Sequence, residues 1–400
     1  MKNKMLIGLG LVALLADSPV LAEKKYDSGA SDTEIKIGQT MPYSGPNSAY
    51  GTYGRAQTGY FKMINEQGGI NGRKINFISL DDAFSPPRTV EHVRKLVEEE
   101  QVLFLFYNLG TATNTAVHKY MNVRQVPQLF VATGASKWGD PEHFPWTMGW
   151  QPNYQTEAHI YAKYLLQTKR DAKIVVLYAN DDFGKDYLKG LHDGLGQQAA
   201  KLIVREITYE FADPTVDSQI VTLHSSGADT LFIFAGPKAA AQAIRKVSDV
   251  GWKPLTFLTN VASSVAAVLE PAGLEKSVGL VTALFMKDPT DPQWDKDAAM
   301  KAWRDWMKKY YPDGNTHDIL NVYGYAAAQT LMQVLKQCGD ELTRENIMRQ
   351  AASLKNLEIP VLLPGIRINT SATDFYPIEQ LQLAQFDGKR WVLFGELIGR

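Results

Sequence analysis

Short apolar runs alternate with longer segments of helical spacing along most of this 400-residue chain. Several of the short runs, such as VLFLFY and KIVVLY, are apolar at nearly every position. Strands that are buried on both faces have this pattern, and such strands belong to parallel sheets covered by helices. The pattern predicts strands at Ile35–Gln39, Lys74–Leu80, Val102–Tyr107, Gln128–Ala132, Lys173–Tyr178, Ile203–Tyr209, Thr230–Phe234, Leu255–Thr259 and Gly279–Ala283.

The segments between these strands carry the spacing and the boundary residues of helices. Gly68-Gly69 is a helix stop, and Ser85 is an N-cap in front of two prolines that suit a first turn. The predicted helices are Tyr50–Gln67, Ser85–Glu100, Asn153–Thr168, Lys185–Gln198, Val216–Ser226, Ala239–Val250, Gln293–Tyr310, His317–Lys336 and Thr343–Ser353.

The alternation of strands and helices predicts a doubly wound α/β architecture built from βαβ units. About ten strands exceed the usual size of one compact sheet, so we predict two sheets and two lobes. The break between them is predicted at Pro145–Pro152, in the segment PWTMGWQP. The last part of the chain, from Ile359 to Arg400, predicts β-structure, with strands at Gln380–Gln385 and Trp391–Leu397, and not another βα repeat.

The first 22 residues have the three parts of a secretory signal peptide. Lys2 and Lys4 precede an apolar run from Met5 to Leu15, and the residues before the end of Ala22 suit cleavage there. This run is shorter than the roughly 20 residues that a membrane-spanning helix needs. We therefore predict export to the periplasm, cleavage after Ala22, and a mature chain that is not embedded in a membrane.

Composition and charge exclude several classes of function. The chain has 42 Lys and Arg against 43 Asp and Glu, so it has no basic excess to neutralise the phosphates of a nucleic acid. Cys338 is the single cysteine, which excludes an intrachain disulfide and a multi-cysteine zinc site. Neither a phosphate-binding loop nor a dinucleotide fingerprint occurs after the signal peptide, and the seven histidines have no ligand spacing. We expect no nucleic-acid partner, no cofactor and no metal.

Small and aromatic residues follow the predicted strands, at the sheet edge where ligands of open α/β folds bind. These loops read MPYSGPNSAYG at 41–51, NLGTATN at 108–114, ATGAS at 132–136 and NDDFG at 180–184. Thr111 and Thr113 begin a predicted helix, where backbone N–H groups and the helix dipole favour a carboxylate. An exported hydrolase would need a nucleophile paired with a base, and the sequence offers none, so we expect a binding site and not an enzyme.

Three stretches carry a resemblance to a known family. They are the opening IKIGQTMPYSGPNSAYG, the long segment GYFKMINEQGGINGRKINFISLDDAFSPPRTV, and YANDDFGKDYLKG. With these stretches the chain resembles the periplasmic binding proteins of the branched-chain amino-acid type, the two-lobed receptors of ABC importers. In the sequence of Phe144–Tyr154 it is also similar to a subgroup of these receptors that binds aromatic carboxylates. The resemblance extends from about Glu34 to the C-terminus.

The resemblance implies two doubly wound parallel-sheet lobes joined by a three-crossover hinge, the type I fold. Lobe boundaries carried over from the family are 31–148 plus 284–360 for one lobe and 152–281 plus 363–400 for the other. It further implies a monomer that delivers a small molecule to an inner-membrane ABC permease. Ligand would bridge the lobes and shift the equilibrium from an open to a closed form.

Carried over by position, the resemblance implies a set of ligand-binding residues. Gly110, Thr111, Thr133 and Gly134 would hold a carboxylate, while Tyr50 and Phe183 would pack on the ligand from the two lobes. Trp138 and Trp150 are candidate apolar walls, with plain packing as the alternative. The full predicted set is Tyr50, Asn108, Gly110, Thr111, Thr113, Ala132, Thr133, Gly134, Phe183, Gly236 and Asn260.

The chain departs from the family where amino-acid-binding members place an acidic residue to hold the ligand ammonium. Here the corresponding strand continues into Asn260-Val261-Ala262-Ser263, without a carboxylate. A buried ammonium with no paired charge is costly. Branched-chain amino acids and aromatic or other organic carboxylates therefore both stay open as ligands. A periplasmic sensor that uses the same fold is a further alternative.

Overall fold

The computed structural model describes residues 24–399, so the predicted signal peptide lies outside the described residues. The strands are β1 Lys25–Tyr26, β2 Glu34–Met41, β3 Lys74–Asp81, β4 Phe104–Phe106, β5 Gln128–Val131, β6 Thr147–Gly149, β7 Ile174–Ala179, β8 Ile203–Tyr209, β9 Thr230–Phe234, β10 Leu255–Leu258, β11 Val281–Leu284, β12 Glu341–Leu342, β13 Gln382–Phe386 and β14 Trp391–Leu393. The helices are α1 Gly51–Glu66, α2 Pro86–Arg94, α3 Thr111–Val123, α4 Tyr154–Thr168, α5 Asp182–Leu195, α6 Ala199–Leu202, α7 Asp217–His224, α8 Pro237–Asp249, α9 Glu270–Ala272, α10 Ala298–Tyr310, α11 Ile319–Cys338 and α12 Arg344–Ala351.

Five strands from the N-terminal part of the chain form a parallel sheet in the order β3-β2-β4-β5-β6. β2 pairs with β3 along eight residues, and β4 and β5 are buried at every position. Burial on both faces explains why these strands read as continuous apolar runs. We call this sheet, with the helices that pack on it, lobe 1.

A second sheet of seven strands has the order β14-β13-β11-β10-β9-β7-β8. β7 to β11 run parallel, whereas β13 and β14 are antiparallel additions at one edge. The predicted β-structure near the C-terminus is therefore present, although β14 ends earlier than predicted, two residues before Gly395 with its positive φ of 67°. We call this sheet with its helices lobe 2.

The chain passes between the lobes three times: after β6, after β11, and again before β13. The prediction of an α/β fold with two parallel-sheet lobes is confirmed. β6 ends at Gly149 and β11 extends to Leu284, close to the predicted lobe boundaries, and those boundaries themselves stay a prediction. Within residues 24–399, no helix combines the length and the apolarity needed to cross a bilayer.

Two helix starts differ by three or more residues from those predicted, and a carboxylate caps each of these two helices. α5 begins three residues before the predicted Lys185, since Asp181 accepts hydrogen bonds from the N–H groups of Phe183 and Gly184. α10 begins five residues after the predicted Gln293, where Asp297 accepts from Met300 N–H at 2.9 Å. Side-chain caps of this kind satisfy the free N–H groups of a first helical turn.

The GGINGR stretch, which carries much of the family resemblance, forms a turn and contributes a buried arginine. Gly68, Gly69 and Gly72 all have positive φ, so the turn between α1 and β3 needs residues without a Cβ. The Arg73 side chain is almost fully buried and donates to Asp340 at 2.5 Å and to Tyr26 Oη at 2.6 Å. It thereby ties β3 to the small parallel ladder of β1 and β12, which the sequence pattern did not predict.

Lobe 1 depends on a close approach of α1 and α11. A Cβ placed on Gly324 would lie 2.7 Å from the Tyr53 carbonyl oxygen and 3.0 Å from the Ala56 Cβ. Neither neighbour can move without shifting the backbone of α1, because the first contact is with a main-chain atom.

We expect Gly324→Val to lower the free energy of unfolding by about 1–3 kcal/mol, because the added side chain overpacks this crossing. Thermal or urea unfolding of the two proteins measures the difference. Gln337→Ala, at an exposed position of the same helix, is the matched control and should change stability by less than about 0.5 kcal/mol. An unchanged melting transition in Gly324→Val would contradict the close packing described here.

Candidate functional site

A cavity lies between the lobes, at the carboxyl ends of both parallel sheets. It encloses about 390 Å³ of empty space, including its opening to solvent. Six of its lining residues are aromatic, and none of the lining residues among those described is charged. The lining residues are Asn47, Tyr50, Tyr53, Phe84, Leu109, Gly110, Thr111, Ala132, Gln151, Tyr154, Phe183, Phe211, Gly236 and Val261. We call it the central cavity.

The structure brings six of the predicted site residues to the wall of the central cavity and leaves five behind it. The six on the wall are Tyr50, Gly110, Thr111, Ala132, Phe183 and Gly236. The five behind the wall are Asn108, Thr113, Thr133, Gly134 and Asn260. Trp138 and Trp150, the candidate apolar walls, are also not part of the lining and are fully packed in the core.

The N-terminus of α3 forms one side of the central cavity. Gly110 precedes the helix with φ 97°, and a Cβ there would lie 2.4 Å from the ring of Phe84. The positive φ and the lack of space beside Phe84 therefore both exclude a residue with a Cβ at position 110. The first intrahelical bond is donated by Asn114 N–H to the Gly110 carbonyl, so the N–H groups of residues 111–113 precede the helical ladder.

The Thr111 hydroxyl is hydrogen-bonded to its neighbour Thr133. The two hydroxyl oxygens are 2.7 Å apart. Thr133 Oγ1 also accepts hydrogen bonds from Trp138 Nε1 and Ala135 N, both at 3.3 Å. Either hydroxyl can donate to the other, and Thr133 also interacts with the Tyr154 hydroxyl. When Thr133 donates to Thr111, the Thr111 proton is free for a partner in the cavity. Thr133 thus acts on the cavity through Thr111 and not by lining it.

The other residues behind the wall have side chains or backbone that the protein itself uses. The Asn108 amide donates to Thr40 Oγ1 at 3.0 Å, and the Thr113 hydroxyl donates back to the carbonyl groups of Leu109 and Gly110. Such local bonds compete with outside partners for threonine and asparagine. Gly134 packs against the crossing segment, because a Cβ there would lie 2.1 Å from the Pro152 carbonyl.

Asn260 faces a buried carboxylate that sequence reasoning missed. Glu157, on α4, is fully buried and accepts hydrogen bonds from both the backbone and the side-chain amide of Asn260. The hydroxyls of Tyr161 and Tyr187 donate to the same carboxyl group at 2.5 and 2.7 Å. Burial raises the pKa of Glu157 to about 7, while its four donors act to lower it. The family's acidic residue is therefore absent after β10, but another carboxyl group, that of Glu157, lies buried nearby inside lobe 2.

Aromatic side chains join the lobes across the central cavity. Tyr50 of lobe 1 donates its hydroxyl to the Val261 carbonyl of lobe 2 at 2.9 Å. Phe84 of lobe 1 meets Phe211 of lobe 2 with their ring centroids 4.8 Å apart. Within lobe 2, Phe183 lies in the first turn of α5 and packs edge-on against Tyr154 of α4, at 5.2 Å. The two contacts between the lobes describe a closed arrangement.

Polar pairs at the rim reinforce this closure. Asp186 of α5 accepts from the backbone N–H of Ser136 at 2.9 Å and from its hydroxyl at 2.6 Å. The next residue, Lys137, forms an ion pair with Asp182 at 2.5 Å. Ser136 and Lys137 follow the lobe 1 strand β5, whereas both aspartates belong to lobe 2. We call these four residues the rim clasp.

Eight residues of the cavity wall were not predicted as site residues. They are Asn47, Tyr53, Phe84, Leu109, Gln151, Tyr154, Phe211 and Val261. Asn47, Leu109 and Val261 lie within or next to loops that follow predicted strands, so the loop rule could have included them. Tyr53 and Tyr154 lie on helices, where an aromatic residue that faces a cavity has the same sequence pattern as one in a core.

The described residues hold no cluster of three or more histidine, cysteine, aspartate or glutamate side chains that is arranged for a metal ion. The central cavity instead offers hydroxyl, amide and backbone N–H groups beside apolar rings. Such a wall suits a small organic ligand with one anionic end.

Comparison with known proteins gives a consistent picture. Residues 34–390 match the family model described as periplasmic binding protein. A Leu/Ile/Val-binding protein homolog 1 of Brucella abortus is 24% identical over 356 residues, which cover 86% of this chain and 87% of the relative. An amino acid binding protein of Pseudomonas aeruginosa is 23% identical over 344 residues, covering 84% and 86%.

Solved structures share the fold at lower identity. A branched-chain amino acid ABC transporter protein from Thermus thermophilus with bound valine has a TM-score of 0.82 and 16% identity, and covers 93% of this chain and 98% of its own. A fatty acid ABC transporter substrate-binding protein from Thermomonospora curvata has a TM-score of 0.78 and 21% identity, with coverage of 94% and 95%. One fold thus serves ligands of different chemistry in these proteins.

We expect the stability contributed by Glu157 to fall as pH rises. The folded state binds the proton more tightly than the unfolded chain, whose glutamate pKa is about 4.3, so this contribution is complete below that pH and is lost through pH 7. Wild type should therefore lose stability relative to Glu157→Gln between pH 5 and 8, by an amount on the order of 3 kcal/mol. Urea unfolding at several pH values measures this.

Glu91→Gln, at an exposed position, is the control and should show no such trend relative to wild type. A difference between wild type and Glu157→Gln that stays constant from pH 5 to 8 would mean that the carboxyl group is ionised throughout, and would contradict its raised pKa.

Proposed function

Because this chain belongs to the periplasmic binding protein family, we propose that it is the solute-binding component of an ABC import system for small carboxylates. The observation that carries the proposal is the wall formed by Gly110 and Thr111, where a helix N-terminus opens on a cavity between two lobes. The ligand is bound, delivered to a permease of the inner membrane, and released unchanged. The protein acts as a monomer in the periplasm after removal of its signal peptide.

The carboxylate is held at the N-terminus of α3. The backbone N–H groups of residues 111–113 and the Thr111 hydroxyl supply donors, and the helix dipole favours negative charge at this end. Charge-assisted hydrogen bonds of this kind are the strong ones in a partly desolvated site. Thr133 is a positioning residue in this arrangement, since its hydroxyl is hydrogen-bonded to the Thr111 hydroxyl.

Two classes of ligand are candidates for this site: branched-chain amino acids and carboxylates with an aromatic ring. The names of the relatives and the valine-bound structural neighbour favour branched-chain amino acids. The aromatic wall favours a carboxylate with an aromatic body, because no charged side chain of the described lining can neutralise an ammonium group. Glu157 does not fill this need, since its carboxyl group is surrounded by Tyr161, Tyr187 and Asn260.

Binding is coupled to closure of the lobes. A ligand held by α3 of lobe 1 also touches Phe183 and Val261 of lobe 2, so it has contacts in the closed form that the open form lacks. A ligand shifts such an equilibrium by its differential affinity for the two forms. The rim clasp and the Tyr50 to Val261 hydrogen bond add to the closed form without touching the ligand's carboxylate.

A thermal-shift panel on the mature protein tests the proposal and separates the ligand classes. Ligand that binds only the folded state raises the melting temperature by mass action. We expect a clear rise with benzoate- or cinnamate-type acids, or with leucine, isoleucine and valine, and none with the matched amides, which lack the carboxylate. A panel in which amides act as well as acids would contradict the carboxylate site, and a panel without any shift would contradict the proposed function.

Thr111→Ala and Tyr50→Ala should each weaken binding of the ligand identified by that panel at least tenfold, or about 1.4 kcal/mol. Thr111→Ala removes a donor to the carboxylate, and Tyr50→Ala removes both a wall and the bond to Val261. Isothermal titration measures the change. Thr222→Ala, at an exposed position of lobe 2, is the control, and unchanged affinity in both cavity variants would refute the assignment of this site.

A further inference from the structure

The Tyr53 hydroxyl is a buried polar group without a partner. Its residue lines the central cavity and has no exposed surface, and its hydroxyl makes no hydrogen bond to any of residues 24–399. The ring is held by neighbours on several sides: Tyr50, Tyr107 and Tyr323 each lie with centroids 5.6 Å from it. The hydroxyl therefore cannot swing away to solvent.

Two further side chains on the same wall have polar atoms in the same situation. The Asn47 amide nitrogen and the Gln151 amide oxygen are buried, line the central cavity, and have no hydrogen-bond partner within the described part of the chain. Asn47 Nδ2 is a donor only, whereas Gln151 Oε1 is an acceptor only. The Gln151 side chain is a neighbour of Tyr107: burial raises the pKa of that tyrosine, Gln151 acts to lower it, and the ring of Tyr107 contacts Tyr53.

Leaving these groups unpaired is costly. A buried donor or acceptor without a partner destabilises a protein by about 1–3 kcal/mol, and native proteins leave few such groups. Three of them on one cavity wall, away from the α3 N-terminus that holds the carboxylate, indicate that the bound ligand supplies the partners. An aliphatic amino acid has no acceptor besides its carboxylate, so it cannot accept from the Asn47 amide once that carboxylate is fully engaged at α3.

We propose that the ligand is an aromatic carboxylate with a hydroxyl group on its ring, and that Tyr53 and Gln151 select for that hydroxyl. This inference rests on the proposed function, because it takes the carboxylate at Thr111 as given. A hydroxyl accepts one hydrogen bond and donates another, so it pairs with the Tyr53 hydroxyl and the Gln151 oxygen together. The Asn47 amide supplies a second donor on the same wall. The aromatic rings of the wall contact the body of the ligand.

The test uses two pairs of acids that differ only by the ring hydroxyl: benzoate with 4-hydroxybenzoate, and cinnamate with 4-hydroxycinnamate. Isothermal titration gives the affinity of each for wild type, for Tyr53→Phe, and for Tyr60→Phe. The last is a matched control, since Tyr60 lies on the same helix, packs against Trp306 and Tyr325, and is not part of the cavity lining.

We expect the hydroxylated member of at least one pair to bind wild type ten or more times tighter than its parent. Tyr53→Phe should remove most of this advantage and leave the affinity for the unhydroxylated acid within about threefold. Tyr60→Phe should retain the advantage. Because each comparison is made within one protein, a general loss of stability cannot imitate the result. A site built for a hydroxyl discriminates in this way against analogues that lack it.

Other outcomes would overturn the inference. They can be told apart from the outcomes that would overturn the proposed function. Equal affinity of both members of each pair, or an advantage that survives in Tyr53→Phe, refutes selection of a hydroxyl while the carboxylate site stands. Binding of leucine, isoleucine or valine without any aromatic acid refutes the aromatic ligand and leaves the import function. Failure of all these acids with the folded protein refutes both.

Discussion

The hydrogen bond from the Tyr50 hydroxyl to the Val261 carbonyl is the contact on which the shape of the site depends. It joins the loop after β2 in one lobe to the loop after β10 in the other, directly on the wall of the central cavity. Its acceptor is fixed from behind, because the preceding residue, Asn260, is bound through its backbone and side chain to Glu157. A buried carboxylate inside lobe 2 thus determines where lobe 1 finds its partner, and the cavity wall results from this connection between the two cores.

The position of that carboxylate also sets the electrostatics of the site. Burying Glu157 is tolerable because tyrosine hydroxyls and an asparagine supply four donors, and this requirement leaves none of its oxygens free for a ligand. The wall of the central cavity is neutral among the described residues, and its free backbone N–H groups lie at the N-terminus of α3. If the carboxylate binds at α3 as proposed, the neutral aromatic walls disfavour a zwitterion, because they offer no partner for its ammonium group.

Periodicity predicted the buried central strands of both large sheets, because strands buried on both faces read as continuous apolar runs. It missed the short edge strand β6 and the ladder of β1 and β12. The loop rule pointed to the edge of both sheets where the central cavity lies, and Tyr50 and Thr111 from its loops line that cavity. It could not give side-chain direction within a loop: Thr113 returns its hydroxyl to its own helix, and Asn108 uses its amide on Thr40. Glu157 was beyond sequence reasoning, since a glutamate in a helix is usually solvated, and only the tertiary fold shows the tyrosines around it. The GGINGR stretch supported the family resemblance through its turn and the buried Arg73, neither of which touches the cavity.

Specificity in such a molecule has to reside in groups that the fold does not need. Structural neighbours at 16 and 21% identity keep the same architecture, yet one carries valine and another is named for fatty acids. The hydrogen bonds of Arg73 and Glu157 are internally complete, so they hold the scaffold and do not respond to a ligand. By contrast, Tyr53, Asn47 and Gln151 are buried with polar atoms unpaired, at a cost to folding that only an outside partner offsets. On the proposal that the ligand pairs with these atoms, stability and recognition are divided between different polar groups, and the unpaired ones select the ligand.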